Sequence, residues 1–338
     1  MEGLKRGSTA IVGVAESDLG HVAEGLSVID LMAQGVHRAL DDCGLKLKDV
    51  DGLFSATTQS RLSVVALAEY LGLDPAFTGS TIVGGSSFEY HVAHAMAAIQ
   101  QGLCNVAVIA YGSTQRSVGR KQASVREINP YESPFKPFMP SSAYALAASR
   151  HMHQFGTTRE QLAAVAVAAR EWALLNPAAW EKKPAYVLGC GQSTTHSSIS
   201  NMPDLTVTGA LAAGKAAYKM AKLGPADVDA VELYDAFTIN TILFLEDLGF
   251  CKKGEGGAFV GGGRIAPKGS LAVNTNGGGL SYCHPGMYGL FLLIEAVRQL
   301  RGECGARQVR DCDVALAHGN GGVLSTQATV ILGTQAAL

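Results

Sequence analysis

Chemically capable side chains are densest between Asn274 and Gly289, in the stretch NTNGGGLSYCHPGMYG. Three consecutive glycines, Tyr282, Cys283 and His284 share a space too short for an element of its own, between an expected strand at Leu271–Val273 and an apolar helix beginning near Gly289. Glycines allow close backbone approach and a helix start offers free N–H groups, so this succession fits a ligand-facing crevice. By residue type Cys283 could attack a carbonyl, Tyr282 could carry a proton, and His284 could polarise a developing oxyanion. The competing reading is a tight turn with ordinary polar residues.

Three further constellations carry polar groups of the right kind. Gly84 and Gly85 precede Ser86 and Ser87 at an expected helix start; YDAF places Tyr234 and Asp235 at a strand end; HGNGG spans His318 to Gly322. A serine at a helix start is far more often an N-cap than a nucleophile, since it needs an adjacent base to attack. His91 and His94 belong to the helix after Gly85. Arg116, Arg120, Lys121, Arg126 and Lys136 could meet phosphates, although each alone reads as solvated surface charge.

The elements that must position these groups alternate. Strand Thr9–Ala15, helix Ser27–Cys43, strand Asp49–Phe54, helix Ser63–Leu71, strand Ser80–Val83, a helix from Ser86 and strand Asn105–Tyr111 make a first βα half. The order then repeats: strand Tyr186–Leu188, helix Thr208–Leu223, strand Asp227–Leu233, strand Leu271–Val273, the glycine stretch, the apolar helix, strand Asp313–Ala317 and strand Thr326–Leu332. DVDGLF after Gly44 and DVDAVEL after Gly224 are echoes of one another. Such alternation predicts an α/β fold with mixed, mostly parallel sheets in two duplicated halves. The expected division is 1–118 for the N-terminal half, 119–180 for a proline-marked loop or lid excursion containing a helix from Thr157 to about Leu175, and 181–338 for the C-terminal half. One strand is missing from this scheme: nothing between Tyr111 and Tyr186 reads as the counterpart of Thr326–Leu332. That points to a piece absent at the Trp180/Glu181 junction, because a missing central strand leaves backbone groups unpaired.

Composition narrows the function classes. At 338 residues, with 47% hydrophobic and 17% charged residues and a formal charge of -2, the chain reads as globular with no basic patch for nucleic acid. No apolar run reaches a membrane span, so no membrane partner is expected. Seven cysteines, odd in number and without a CxxC pair, predict reduced thiols in a cytoplasm and no zinc site.

The two halves, Gly84–Ser87, Tyr234–Phe237, GGG…HPG around His284 and Gly319–Gly322, in this order, resemble the thiolase superfamily, in its sterol-carrier-protein-x or lipid-transfer branch. The resemblance implies a five-layer αβαβα fold, a homodimer and an acyl-coenzyme A substrate, with coenzyme A as part of that substrate and no covalently bound cofactor. Thiolases carry a nucleophilic cysteine at the position of Gly85 and an acid/base cysteine at that of Ala317; this chain has neither. It therefore looks like the subset of steroid side-chain aldolases that lack the nucleophile, cleave a β-hydroxyacyl-CoA by a retro-aldol reaction, and work with a small OB-fold, zinc-ribbon partner. On that resemblance Tyr234, Tyr282 and His284 are the expected catalytic residues. Gly85, Ser86, Asp235, Gly278, Gly279, His318 and Gly319 are the expected substrate-binding ones. A thiolase with an atypical nucleophile and a non-catalytic acyl-CoA-binding subunit are the alternatives.

Overall fold

The two aspartates of the echoed DVD motifs make the same connection in each half. Asp51 accepts the N–H groups of Asn105 at 2.8 Å and Val106 at 2.7 Å, and Asp229 accepts those of Asp313 and Val314, both at 2.9 Å. In both places a carboxylate just before one strand ties down the start of its neighbour, so the repeat in sequence is a repeat of one hydrogen-bonding device. The structure is a computed structural model and describes residues 3–118, 129–173, 175 and 184–338.

The first half comprises β1 (Ala10–Ile11), α1 (Val28–Cys43), β2 (Gly52–Ser55), α2 (Ser63–Leu71), β3 (Phe77–Gly79), α3 (Ser87–Gln100), β4 (Ala107–Ala110) and α4 (Gln115–Val118). The stretch between the halves holds α5 (Ser141–Phe155) and α6 (Arg159–Ala173). The second half comprises β5 (Ala185–Thr194), α7 (Ala210–Ala221), β6 (Ala230–Leu233), α8 (Thr238–Asp247), α9 (Gly256–Val260), β7 (Ala272–Val273), α10 (Gly278–Ser281), α11 (Gly289–Arg301), β8 (Val314–Gly321) and β9 (Thr326–Gly333). Local signals explain the boundaries of the long helices. Ser27 caps α1 in a reciprocal box with Asp30, and Gly44 ends it at φ 75°. Gly302 ends α11 at φ 78°.

Strands β3-β2-β4 form a parallel sheet, and β1-β5-β9-β8-β6-β7 form a larger mixed one. In the larger sheet β7, β6 and β8 run parallel, repeating β3, β2 and β4, while β9 runs antiparallel to both β8 and β5. Helices α1 and α2 cover one sheet, α7 and α8 cover the other, and α3 and α11 fill the layer between. This is a thiolase-like α/β architecture of five layers. Its main core runs through the second half and the central helices, and a smaller one lies between α1, α2 and the first sheet.

Three expectations shift. The strand expected at Ser80–Val83 lies earlier, at Phe77–Gly79, because Val83 donates its N–H to Ser87 Oγ and belongs to the turn that leads into α3. The prolines do not keep the excursion irregular: Pro140 stands directly before α5, whose His151 binds Thr157 and Glu246 and anchors the excursion on α8. The helix expected from Thr157 opens slightly later, at Arg159, behind reciprocal hydrogen bonds between Thr158 and Gln161. The missing fifth strand of the first half is also missing among the described residues: β4 pairs only with β2, and β1 pairs with β5. The Trp180/Glu181 junction, together with Arg120, Lys121 and Arg126, lies outside the described residues.

Candidate active site

Three glycine stretches interlock at the centre of the molecule. A Cβ on Gly84 would lie 2.7 Å from Gly321 Cα, one on Gly289 would lie 2.1 Å from the Gly85 carbonyl oxygen, and one on Gly321 would lie 1.7 Å from the Val83 carbonyl oxygen. Only residues without a side chain let α3, α11 and β8 start or end this close together.

Tyr234, at the end of β6, points into this junction. Its N–H is held by the His318 carbonyl at 3.0 Å, its hydroxyl donates to the Gly286 carbonyl at 3.3 Å, and that hydroxyl accepts the Tyr288 N–H at 3.1 Å. A Cβ on Gly85 would stand 2.1 Å from Tyr234 Cε2 and 2.5 Å from Cζ. The phenol ring thus fills the space that a side chain at the start of α3 would need. Burial pushes the Tyr234 hydroxyl well above the ordinary phenol range, despite the Tyr288 N–H, and Tyr111, Tyr144 and Glu89 nearby push it further. The phenol is therefore neutral at physiological pH.

His284 lies edge-on to Tyr234 with ring centres 5.5 Å apart and stacks on Tyr288 at 6.2 Å. It keeps a solvent-facing side, while desolvation by its packed neighbours lowers its basicity and leaves the imidazole neutral. The turn that carries it is fixed by Asp235. This fully buried carboxyl accepts the N–H of Gly279 at 2.5 Å, and a Cβ on Gly278, where φ is +65°, would fall 2.1 Å from Asp235 Oδ2. Burial raises Asp235 to about 7 against those backbone donors. Its carboxyl is turned to the glycine loop, which gives Asp235, Gly278 and Gly279 the work of shaping the turn under His284.

Other expected residues are placed less centrally. Tyr282 donates its hydroxyl to Glu16 at 2.7 Å, and Glu16 in turn pairs with Arg298 through two hydrogen bonds, at 3.1 and 3.0 Å. Of the two tyrosines in the opening stretch, Tyr288 is the one whose ring stacks on His284; Tyr282 packs on Phe291. The structure does not bring the ring of His318 to the site: Nδ1 binds Thr329 at 2.8 Å, Nε2 binds Gln327 at 2.9 Å, and burial lowers the imidazole to about 4. Its backbone, with Gly319 beside Glu89, supports the floor. Ser86 is buried on Thr326 at 3.0 Å, Ser87 bonds to Gly84, and no base adjoins either among the described residues. Burial, with Glu16 nearby, raises the Cys283 thiol above its ordinary range, and the opposing Arg116 cation does not outweigh them.

Besides Tyr288, sequence reasoning missed three contributors. Tyr111 ends β4, donates to the Pro285 carbonyl at 2.7 Å and accepts the Met287 N–H at 3.2 Å, so it pins the far end of the histidine turn. Tyr144 arrives from α5, packs on Phe237 and receives a hydrogen bond from Asn320 at 3.0 Å. Glu89, one turn into α3, is fully buried with both carboxyl oxygens unpartnered among the described residues, and burial raises it to about 8. Tyr111 was legible as a polar residue at the carboxyl end of a parallel strand, where ligands of open α/β sheets bind. Tyr144 carried no signal, since α5 itself was not foreseen. Among the described residues no cluster of His, Cys, Asp and Glu could hold a metal ion, and no helix is long and apolar enough to cross a membrane.

Two βα halves whose glycine turns meet between α3, α11 and β8 are the arrangement of a thiolase-like fold, and comparison with known proteins shows the same family. The thiolase C-terminal domain-like family matches residues 191–334. An acetyl-CoA acetyltransferase of Methanothermobacter thermautotrophicus is 28% identical over 377 aligned positions, covering 95% of this chain and 98% of the relative. The 17-hydroxy-3-oxo-4-pregnene-20-carboxyl-CoA lyase of Mycobacterium tuberculosis is 31% identical over 366 positions, covering 88% and 92%. The solved Ltp2-ChsH2(DUF35) aldolase superposes with a TM-score of 0.84 at 26% identity, covering 98% of this chain and 99% of that one. The chain belongs to the thiolase superfamily, and within it to the branch of the sterol-carrier-protein-type thiolases and steroid side-chain-cleaving aldolases. Both alignments to the relatives run longer than the 338 residues of the chain itself, so those relatives carry residues with no counterpart here.

Proposed function

We propose that the chain is an aldolase that cleaves the Cα–Cβ bond of a bulky β-hydroxyacyl-CoA, of steroid side-chain type, into a ketone and a shorter acyl-CoA. The observation that carries this reading is the Tyr234 ring standing where a side chain at Gly85 would be. Acyl transfer through an acyl-enzyme needs a nucleophile at the helix start, whereas a retro-aldol cleavage needs only a proton acceptor, a proton donor and a place for an enolate.

The protonation states assign the parts. The neutral imidazole of His284 takes the proton of the β-hydroxyl. The Cα–Cβ bond breaks as the ketone C=O forms, and its electron pair passes into the thioester enolate. The protonated phenol of Tyr234 donates to Cα, and the imidazolium proton then returns to the phenolate, restoring both groups. Backbone N–H groups of the glycine turns are the available donors for the enolate oxygen. Tyr282 acts through Glu16 and Arg298 in holding the histidine turn, and Arg116 at the exposed rim near Cys283 meets a coenzyme A phosphate. We assign the chain to a cytoplasmic homodimer that works with a small OB-fold, zinc-ribbon protein. The DUF35 component of the similar Ltp2-ChsH2(DUF35) aldolase supports such a partner.

Product analysis with β-hydroxyacyl- and β-ketoacyl-CoA substrates, with and without that small protein, tests the proposal. Ketone and shortened acyl-CoA from the hydroxy substrate, with unchanged protein mass, is the expected result. An acyl adduct on Ser86 or Cys283 would establish acyl transfer instead, and binding without turnover in the complex would establish a non-catalytic subunit.

A further inference from the structure

The sheet of the first half stops one strand short, and the gap has the shape of a strand. The Val106 carbonyl accepts the Gly52 N–H at 3.0 Å, so Val106, Val108 and Ala110 turn their backbone groups toward β2. By strand alternation Ala107, Ile109 and Tyr111 turn theirs to the opposite edge, where no strand pairs among the described residues. Across the gap lies β1, whose Thr9 carbonyl accepts the Val187 N–H of β5 at 3.0 Å, leaving Ala10 facing back toward β4. A cavity of about 410 Å³ separates the two edges, with Val36 of α1 on one side and Ala95 of α3 on the other.

In the second half the same place is occupied. Strand β9 lies between β8 and β5, antiparallel to both, paired with β8 from Val314↔Gly333 to Gly321↔Thr326. All eight residues of β8 and all eight of β9 are buried, whereas Ala107–Ile109 of β4 are only half-buried and Val12 beyond β1 is 42% exposed. Open, half-buried N–H and C=O groups on two facing edges are a template for pairing with another strand.

We propose that this slot is a strand-acceptor site, taking an extended apolar segment of about eight residues, antiparallel to β4, from a second polypeptide. Its pseudo-symmetric twin β9 supplies the length, direction and side-chain character: mostly small and β-branched residues, without proline. Relatives carry residues that have no counterpart in this chain, and a strand from another polypeptide would fill the slot in trans. A lipid or steroid could fill the volume, but neither could pair the backbone groups of both walls. A second copy of this chain has its own β9 already buried in its sheet and offers no unpaired strand of that length among the described residues, which favours a different polypeptide as the donor.

Hydrogen exchange of the purified chain is the first test. Amides of Ala107, Ile109 and Ala10 should exchange at least about tenfold faster than those of Val108 and Ala110 and of β8, because only the latter are paired. Protection of Ala107 and Ile109 in the chain alone would mean the slot is filled from within and would overturn the proposal. The second test adds a lysine-flanked peptide of the sequence Thr326–Gly333, with a variant carrying proline at alternate positions. The first peptide should slow exchange at Ala107, Ile109 and Ala10 and raise the melting temperature, and the proline variant should do neither. No protection at millimolar peptide, equal protection by the proline variant, or protection by a fatty acid or steroid in its place would each refute a strand acceptor.

Discussion

Replacing Gly85 by alanine adds one methyl group and removes no functional group, yet it should disable the enzyme. Gly85 does not adopt a positive φ, so alanine strains no backbone. The added carbon would stand 2.1 Å from Tyr234 Cε2, 2.5 Å from its Cζ and 2.6 Å from the Asn320 carbonyl oxygen. Carbon atoms in contact sit roughly 3.5–4.0 Å apart, so the phenol ring must retreat by more than about 1 Å. Overpacking of this kind costs about 1–3 kcal/mol of stability, which leaves a chain of this size folded. A misplacement of about 1 Å at a reacting group costs on the order of 10²-fold in rate. The retreat also pulls the hydroxyl from the Gly286 carbonyl and the Tyr288 N–H, which fix its direction.

The assay is kcat/KM for ketone release from a β-hydroxyacyl-CoA, with the melting temperature measured alongside. Gly85→Ala should lower kcat/KM about 10²-fold, and Tyr234→Phe, which deletes the proton donor, by about 10²–10⁴-fold. Because the methyl group acts through the phenol, Gly85→Ala in the Tyr234→Phe background should cost little more. A folded Gly85→Ala protein with normal kcat/KM, or losses that multiply in full in the double variant, would refute the placement of Tyr234 as the proton donor.

Two other outcomes follow from the electrostatics. Glu89 is protonated in the fold up to about pH 8 and ionises near 4.5 when unfolded, so its stabilising contribution is complete below about 4.5 and is lost as the pH rises toward 8. Glu89→Gln should therefore raise the melting temperature at pH 8 relative to the parent and change it far less at pH 4.5; thermal unfolding at the two values checks this, and equal effects would contradict a buried neutral acid. Arg116→Ala should raise KM for acyl-CoA severalfold at unchanged kcat, since a rim cation that meets a phosphate contributes the same to ground and transition states; a pantetheine substrate lacking the nucleotide should show no difference.

What the sequence made legible depended on how local each signal was. The Asp51 and Asp229 echoes revealed the duplication because each acts on a strand start through a fixed motif, and the apolar spacing of Ile29, Met32, Val36 and Leu40 marked the span of α1 within a residue. Tyr234 and His284 drew notice because glycine motifs flank them and the expected cysteines are absent, and the fold brings their rings to 5.5 Å. Which of two tyrosines six residues apart stacks on His284 was not legible, because a turn that bends back on itself decides it, and the ring there is Tyr288 rather than the expected Tyr282. Tyr282 instead gives its hydroxyl to Glu16, 266 residues away, and no local pattern encodes such a contact. His318 misled for the opposite reason. It sits in a glycine motif that does border the site, but on a strand the side chain direction alternates, and its ring falls on the face where Thr329 and Gln327 of β9 receive it. The strand count, by contrast, was a global inference from the repeat, and it located the same gap that the unpaired edge of β4 leaves between the halves. A duplicated fold thus provides its own reference: where one half buries a strand and the other leaves two open edges, the difference marks a site.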